Sequence, residues 1–394
     1  MNQAPRPSGP DLDVTELAVP GVRGLTPYEP GKPLAALERE YGIRDAIKLA
    51  SNENPLGASP AAQRAAAEAV GEMHRYPEGS APELRARLAE RHGVTPEAIT
   101  LGNGSNDVLE LLGRAFLGPD RAAVYSEHAF VVYRLVTQAV GAEARVIPAL
   151  PADHPNAPYG HDLAGFAAAL DPSVRLVFIA NPNNPTGTWV GASALETFIE
   201  RVPPTTLVVV DEAYVEYADP PDYASVTPWL ERFPNLIVTR SFSKVFGLSS
   251  LRLGYALSHP AVSELLNRLR QPFNVNGPAQ AAGLAALDDA DHIARSVAEN
   301  RTERTRLTDQ LRTLGLDPLP SAGNFVTVGL GGRNGSDVFQ GLLQAGVITR
   351  PLAGYGLPGH LRISVGRPVE NTRCLEALPA VLEATAPAPV DARP

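Results

Sequence analysis

Three apolar runs constrain the fold more than any other feature of this chain: VRLVFIA at 174–180, TLVVV at 206–210 and LIVTR at 236–240. They are too short for buried helices and lack the polar alternation of a half-solvated strand. Each therefore reads as a strand covered on both faces, as in a parallel sheet between helical layers. Further strand candidates lie at 99–101, 121–125 and 254–257, and helical stretches around 107–117, 130–140, 163–170 and 191–201 separate most of them. Upstream, Ser59 followed by Pro60 opens a helix over 61–73, and Ser80 with Glu83 has the spacing of a capping box for a helix to about Arg91. After Pro278 the pattern changes. Helical sequence runs to Gly315, then short strands near 325–329, 347–350 and 361–365 mix with helices near 336–345 and 370–384.

The expected fold class is α/β: a large domain with a mostly parallel mixed sheet flanked by helices, plus a smaller α+β C-terminal domain. The expected division is an N-terminal arm at 1–45, of which 1–24 shows no periodicity, a large domain at 46–277, a small domain at 278–384 and a flexible tail at 385–394.

Composition narrows the function. A net charge of −9 argues against general nucleic-acid or anionic-membrane binding. No apolar run approaches the roughly 20 residues that span a bilayer, and the first residues lack the basic and apolar regions of an export signal. The single cysteine, Cys374, excludes an internal disulfide, and no Cys/His spacing suggests a metal. A cytoplasmic enzyme without a metal site is the expectation. Of 34 basic residues only three are lysines, Lys32, Lys48 and Lys244. A lysine kept against such a bias suits chemistry closed to arginine, chiefly imine formation with an aldehyde.

Ligands of open parallel sheets bind beyond the carboxyl ends of the strands. Four candidate strands deliver polar residues to that rim: GNGSND at 102–107, NPNNPTG at 181–187, Asp211-Glu212-Ala213-Tyr214, and Ser241-Phe242-Ser243-Lys244 with Arg252 beyond. GNGSND suits either an anion at a helix N-terminus or a tight strand-to-helix turn. Asp211, ending a buried strand, is either a structural acid or the partner of a cation such as a protonated pyridine. Two hydroxyls and a guanidinium near Lys244 suit a phosphate beside an aldehyde.

These stretches, together with LTPYEPGKP (25–33), LASNENPLG (49–57), HRYPEGSAPELR (74–85), RSFSKVFGLSSLRLGYA (240–256), RQPFNVN (270–276) and GYGLPGHLRISVG (354–366), resemble the fold type I pyridoxal-phosphate aminotransferases. Among these they are most similar to the histidinol-phosphate aminotransferases. The resemblance spans about residues 20–384. It implies pyridoxal 5′-phosphate bound through Lys244, Asp211 on its ring nitrogen, Asn184 and Tyr214 on its 3′-oxygen, and Phe130 stacked on its ring. Ser105, Asn106, Ser241, Ser243 and Arg252 would cradle its phosphate, joined by Tyr76 from the other subunit of a homodimer. Arg362, Tyr28 and Arg350 would bind substrate, with Asn54 and Asn324 nearby. The implied reaction is L-histidinol phosphate plus 2-oxoglutarate to imidazole-acetol phosphate plus L-glutamate, in histidine biosynthesis. An aromatic amino-acid aminotransferase, a threonine-phosphate decarboxylase and a non-catalytic pyridoxal-phosphate protein are the alternatives. Ser249-Ser250 departs from the smaller pair frequent at that place in the family.

Overall fold

The computed structural model describes residues 13–28 and 31–386. The chain begins with α1 (Pro20–Arg23), α2 (Leu34–Tyr41), β1 (Ile47–Lys48), α3 (Pro60–Val70) and α4 (Pro82–His92). The central sheet then forms from β2 (Ile99–Gly102), β3 (Ala122–Ser126), β4 (Glu143–Ile147), β5 (Val174–Ala180), β6 (Leu207–Asp211), β7 (Leu236–Ser241) and β8 (Gly254–Ser258). Helices α5 (Ser105–Phe116), α6 (Val131–Ala139), α7 (Leu163–Ala168) and α8 (Ala192–Arg201) lie between these strands, followed by α9 (Pro260–Leu269), α10 (Gly277–Asp288) and α11 (Ala290–Thr313). The C-terminal part contains β9 (Asp317–Pro318), β10 (Phe325–Gly329), α12 (Gly335–Gln344), β11 (Val347–Ile348), β12 (Arg350–Leu352), β13 (Leu357–Ser364) and α13 (Pro368–Ala384).

The seven strands are ordered β2-β8-β7-β6-β5-β3-β4, with β8 antiparallel to both its neighbours and the β7-β6-β5-β3-β4 pairs parallel. The apolar runs divide residue by residue between two cores. Val177, Ile179, Val208, Val210 and Val238 face one side, under Leu84 and Leu88 of α4, Phe198 of α8 and Ala282 of α10. Leu176, Phe178, Val209 and Ile237 face the other, under Leu109 of α5, Tyr133 of α6 and Leu266 of α9. Period-two alternation inside an all-apolar run is what two-sided burial requires. The strand β4 gave no such run because it lies at the sheet edge, where Glu143 and Glu143's neighbour Ala144 are exposed.

In the C-terminal unit an antiparallel sheet ordered β12-β13-β10-β9 packs against α11, α12 and α13 through Leu307, Val326, Leu342, Ile363 and Leu378. Leu37 of α2 and Ala50 bury themselves beside Leu343 and Ile348, and β1 pairs with β11. Helix α10 contributes Ala279, Ala282, Ala286 and Leu287 to the large unit's core, and α11 reaches both cores. Part of the N-terminal segment is also ordered: Asp13 caps a turn at Val14–Leu17, and α1 packs so tightly on α6 that a Cβ at Gly21 would stand 2.1 Å from Gln138 O. Residues 387–394 of the expected tail lie outside the described residues.

The expected capping box at Ser80 does not form. The cap of α4 is Ala81, at φ 44°, while Ser80 Oγ donates to Glu78 Oε1 at 3.0 Å. Pro82 at the first helical position fixes where the helix starts, two residues beyond Ser80.

Glycines let β8 lie against the start of α5. A Cβ at Gly254 would stand 2.2 Å from Ser105 N and 2.6 Å from Gly104 C, backbone atoms that cannot yield locally. Replacing Gly254→Ala is expected to lower stability by about 2 kcal/mol or more and to displace the first turn of α5. Urea unfolding of the variant and the parent checks this.

Candidate active site

Where β5, β6 and β7 run out, a cavity of about 1000 Å³, its open mouth included, lies between the two units. The strand-end segments line it as anticipated: Ser105 and Asn106 after β2, Asn184 after β5, Asp211 and Tyr214 at the end of β6, and Ser241, Ser243, Lys244 and Arg252 after β7. Phe130, Tyr28 and Arg362 complete that set.

Asp211 is 5% exposed and closes β6 beside Thr239 of β7. Burial pushes its carboxyl upward, opposed first by the Tyr133 hydroxyl, which donates to Asp211 Oδ2 at 2.9 Å. Thr239 Oγ1 also holds it down, though short of hydrogen-bond geometry; Asp211 Oδ1 and Thr239 Oγ1 are both buried without a partner among the described residues. When ionised, a carboxylate with one oxygen satisfied and one open is an acceptor for an N–H.

Because β8 returns antiparallel, the 242–253 loop stays at the rim and carries Lys244. Its turn is held by Gly247 at φ 67°, where a Cβ would stand 2.3 Å from Gly57 O. Lys244 Nζ donates to Ser51 O at 3.3 Å and lies 5.5 Å from the centre of the Tyr214 ring. Burial, then the Arg362 guanidinium, brings its pKa down to about 8, with Arg252 adding to the effect and Glu53 and Tyr28 opposing it. Near neutrality a usable fraction of this amine is uncharged.

Asn184 sits in the 181–187 loop, whose two X-Pro bonds are cis. Asn183 Nδ2 fixes that loop by donating to His128 O at 2.7 Å. Arg362 of β13 donates through Nη1 to Asn184 Oδ1 and through Nη2 to Ala50 O at 2.7 Å. That leaves the Asn184 amide N–H₂ as the donor toward the cavity. Tyr214 accepts from Asn52 Nδ2 at 3.0 Å, and its own proton remains to be donated; burial raises its pKa, with Arg362 opposing.

An anion cradle forms at the start of α5. No side chain caps this helix. Gly104, at φ 85°, leaves room for Arg252, whose Nη2 would lie 2.4 Å from a Cβ there. Arg252 itself adopts φ 56° and donates through Nη1 to Ser249 O at 2.9 Å and to Ser243 Oγ at 3.4 Å. Gly104 of GNGSND thus both turns the chain into α5 and lets the Arg252 guanidinium approach the uncapped helix start.

Four anticipated residues do not line the cavity. Asn54 uses its amide on Val245 O and Ser296 Oγ, at 2.8 and 2.9 Å, so it braces the Lys244 loop rather than facing a ligand. Asn324 donates to Asn52 O at 3.0 Å, likewise a structural link. Arg350 lies with its guanidinium 5.7 Å from the centre of the Tyr28 ring, one layer back. Tyr76 is 82% exposed and stacked on Phe273 at 4.6 Å, outside this chain's own cavity. Conversely, Asn52, Ser51, Glu53 and Tyr355 line the cavity without having been singled out. Asn52 was discoverable, since it stands in the same SNENPLG stretch as Asn54. Its φ of 53° turns the chain, and Ser364 Oγ accepts from its N–H at 2.8 Å.

An open amine, an open buried carboxylate oxygen, two donors beside Arg362 and an uncapped helix start with Arg252 together match an aldehyde-bearing pyridine phosphate. Among the described residues no cluster of metal-ligating side chains occurs, and no helix is long and apolar enough to cross a membrane. A family model for aminotransferase class I and II matches residues 44–378. The chain is similar to histidinol-phosphate aminotransferase 2 of Pseudomonas fluorescens, with 54% identity covering 94% of this chain and 98% of that one. It is 48% identical to histidinol-phosphate aminotransferase 1 of Nitrosococcus oceani over 93% of this chain and 97% of the relative. The crystal structure of histidinol-phosphate aminotransferase from Sinorhizobium meliloti in complex with pyridoxal-5′-phosphate superposes with TM-score 0.84 at 30% identity, covering 93% and 98% of the two chains.

The lowered amine has a measurable signature. Trapping of pyridoxal phosphate on Lys244 by borohydride should quicken about tenfold from pH 6 to 7 and level off above about pH 8, the pKa of Lys244. Peptide mapping of the reduced protein checks both rate and site.

Proposed function

The chain belongs to the class I and II aminotransferase family, whose cofactor is pyridoxal phosphate, and we propose that it interconverts L-histidinol phosphate and 2-oxoglutarate with imidazole-acetol phosphate and L-glutamate. The observation that carries this reading is the cationic side of the cavity. Arg362 and Tyr28 line it and Arg350 stands behind Tyr28, which suits a substrate phosphate in addition to the cofactor's own. The names of the similar aminotransferases support the same substrate.

When bound, pyridoxal phosphate supplies an aldehyde that joins an amine and a ring that withdraws electrons from the carbon beside it. In the proposed assignment Ser105 and Asn106 at the start of α5, with Ser241, Ser243 and Arg252, hold its phosphate. Phe130 covers one ring face. Asn184 and Tyr214 donate to the 3′-oxygen, and Asp211 keeps a proton on the ring nitrogen. Lys244 then has two tasks, covalent attachment at rest and proton transfer in turnover. With its pKa near 8, Lys244 would take a proton from the substrate Cα as general base and return it as general acid to the cofactor's aldehyde carbon, on the far side of the amino nitrogen. Arg362 orients the substrate by its carboxylate or phosphate, held in place by Asn184 and Ala50 O. Asn54 and Asn324 act by fixing Asn52 and the lysine loop.

The exposed Tyr76 and Phe273 pair fits a homodimer in which Tyr76 reaches the partner's phosphate cradle. We place the enzyme in the cytoplasm, where histidine biosynthesis takes its substrates.

Purified enzyme given glutamate should transaminate imidazole-acetol phosphate with kcat/KM about 100-fold or more above phenylpyruvate; equal rates would overturn the substrate assignment in favour of an aromatic amino-acid aminotransferase. Lys244→Arg should lose the visible absorbance of the bound cofactor and all measurable turnover.

A further inference from the structure

The acid behind the cavity is not held by its strand alone. Tyr133, on α6, is fully buried, and its hydroxyl donates to Asp211 Oδ2 at 2.9 Å. Its ring is fixed from two sides, stacked on Phe178 at 4.8 Å with an interplanar angle of 4° and met edge-on by Phe130 at 5.9 Å. Its N–H donates to Phe130 O at 3.1 Å, within the first turn of the same helix. Asp211 Oδ1, the other oxygen, has no partner among the described residues, although Asp211 lines the cavity.

We propose that Tyr133 is a positioning residue for the cofactor's ring nitrogen, acting through Asp211: its hydroxyl fixes the carboxylate's rotation and leaves Oδ1 as the single oxygen open to the pyridine N–H. This deepens the reading of the site and rests on it. A carboxylate with both oxygens free in a dry site has two rotational states and a strong tendency to take a proton. One donor on Oδ2 fixes the rotation by satisfying that oxygen, and it opposes the effect of burial by favouring the charged form. The phenol's own pKa lies well above 10, so it stays a donor throughout the range in which the enzyme works. The first turn of α6 therefore sets two coordinates at once. Phe130 defines the plane beside which the ring lies, and Tyr133, three residues on, defines where the nitrogen's partner stands. Phe130 is the residue that caps α6, and its ring meets that of Tyr133 edge-on.

Tyr133→Phe keeps the stacked ring and deletes one oxygen. The test measures dissociation constants of the cofactor-free protein for pyridoxal phosphate and for 1-deazapyridoxal phosphate, whose ring nitrogen is replaced by C–H. The variant should bind pyridoxal phosphate about tenfold or more weakly, the loss expected for a hydrogen bond to a charged group, while its affinity for the deaza analogue stays within about twofold of the parent's. In an Asp211→Asn background the same substitution should leave both affinities nearly unchanged. Equal losses for both ligands would make Tyr133 a packing residue and overturn the proposal, as would no loss for either. A parent protein that takes up neither ligand on Lys244 would instead overturn the cofactor assignment itself, a result separable from the others because it needs no variant.

Discussion

Both faces of β5, β6 and β7 at the middle of the sheet are covered, and that constraint organises everything else. Val208 and Val210 look into one core, Val209 into the other, and no position along β6 can carry a charge until the strand ends at Asp211. In β5 the apolar run continues from Leu176 to the 181–187 loop, and in β7 the one charge before Ser241, Arg240, is buried only because it is paired with Glu212. Polar residues are driven to the carboxyl ends, and because these three strands are parallel their ends coincide. The antiparallel return of β8 keeps the lysine loop there as well. The site is thus a by-product of burial geometry, onto which particular side chains have been set.

The second organising element is the closure of the C-terminal unit over this rim. Arg362 reaches from β13 to Asn184, Asn324 reaches to Asn52 O, and Thr327 Oγ1 donates to Pro185 O. These bonds tie the C-terminal unit to the rim. Asn52 is the hub: its backbone binds Ser364 and Asn324, while its side chain binds Tyr214. The cationic Arg362 also lowers the basicity of Lys244, so closure and amine reactivity are linked through one guanidinium.

Much of this was legible in the residues. Strand β5 runs over the anticipated 174–180, and the rim segments converge as their place after apolar runs implied. What escaped the reading was decided by tertiary contacts. Edge strand β4 carries charges because one side has no neighbour, so it lacks the apolar signature. The start of α4 follows Pro82 rather than the Ser80 spacing. Asn52 and Asn54 are two residues apart and chemically identical, and only the left-handed turn at Asn52 decides which one faces the cavity. Tyr133 reads as an ordinary apolar helix position; nothing local reveals that its hydroxyl meets an acid 78 residues away in sequence.

The scarcity of lysine, three among 34 basic residues, also shapes the protein's surface. Lys32 is paired with Glu40, and Lys48 with Glu53 at 2.9 Å, each with less than a quarter of its side chain accessible. Reducing sugars and other metabolic carbonyls, which glycate proteins chiefly at free side-chain amines, meet few targets on such a surface. Lys244, the lysine proposed to react with a carbonyl, is buried and lines the cavity, so on that proposal resistance to adventitious sugar damage and selectivity for the intended reagent arise from the same amino-acid preference.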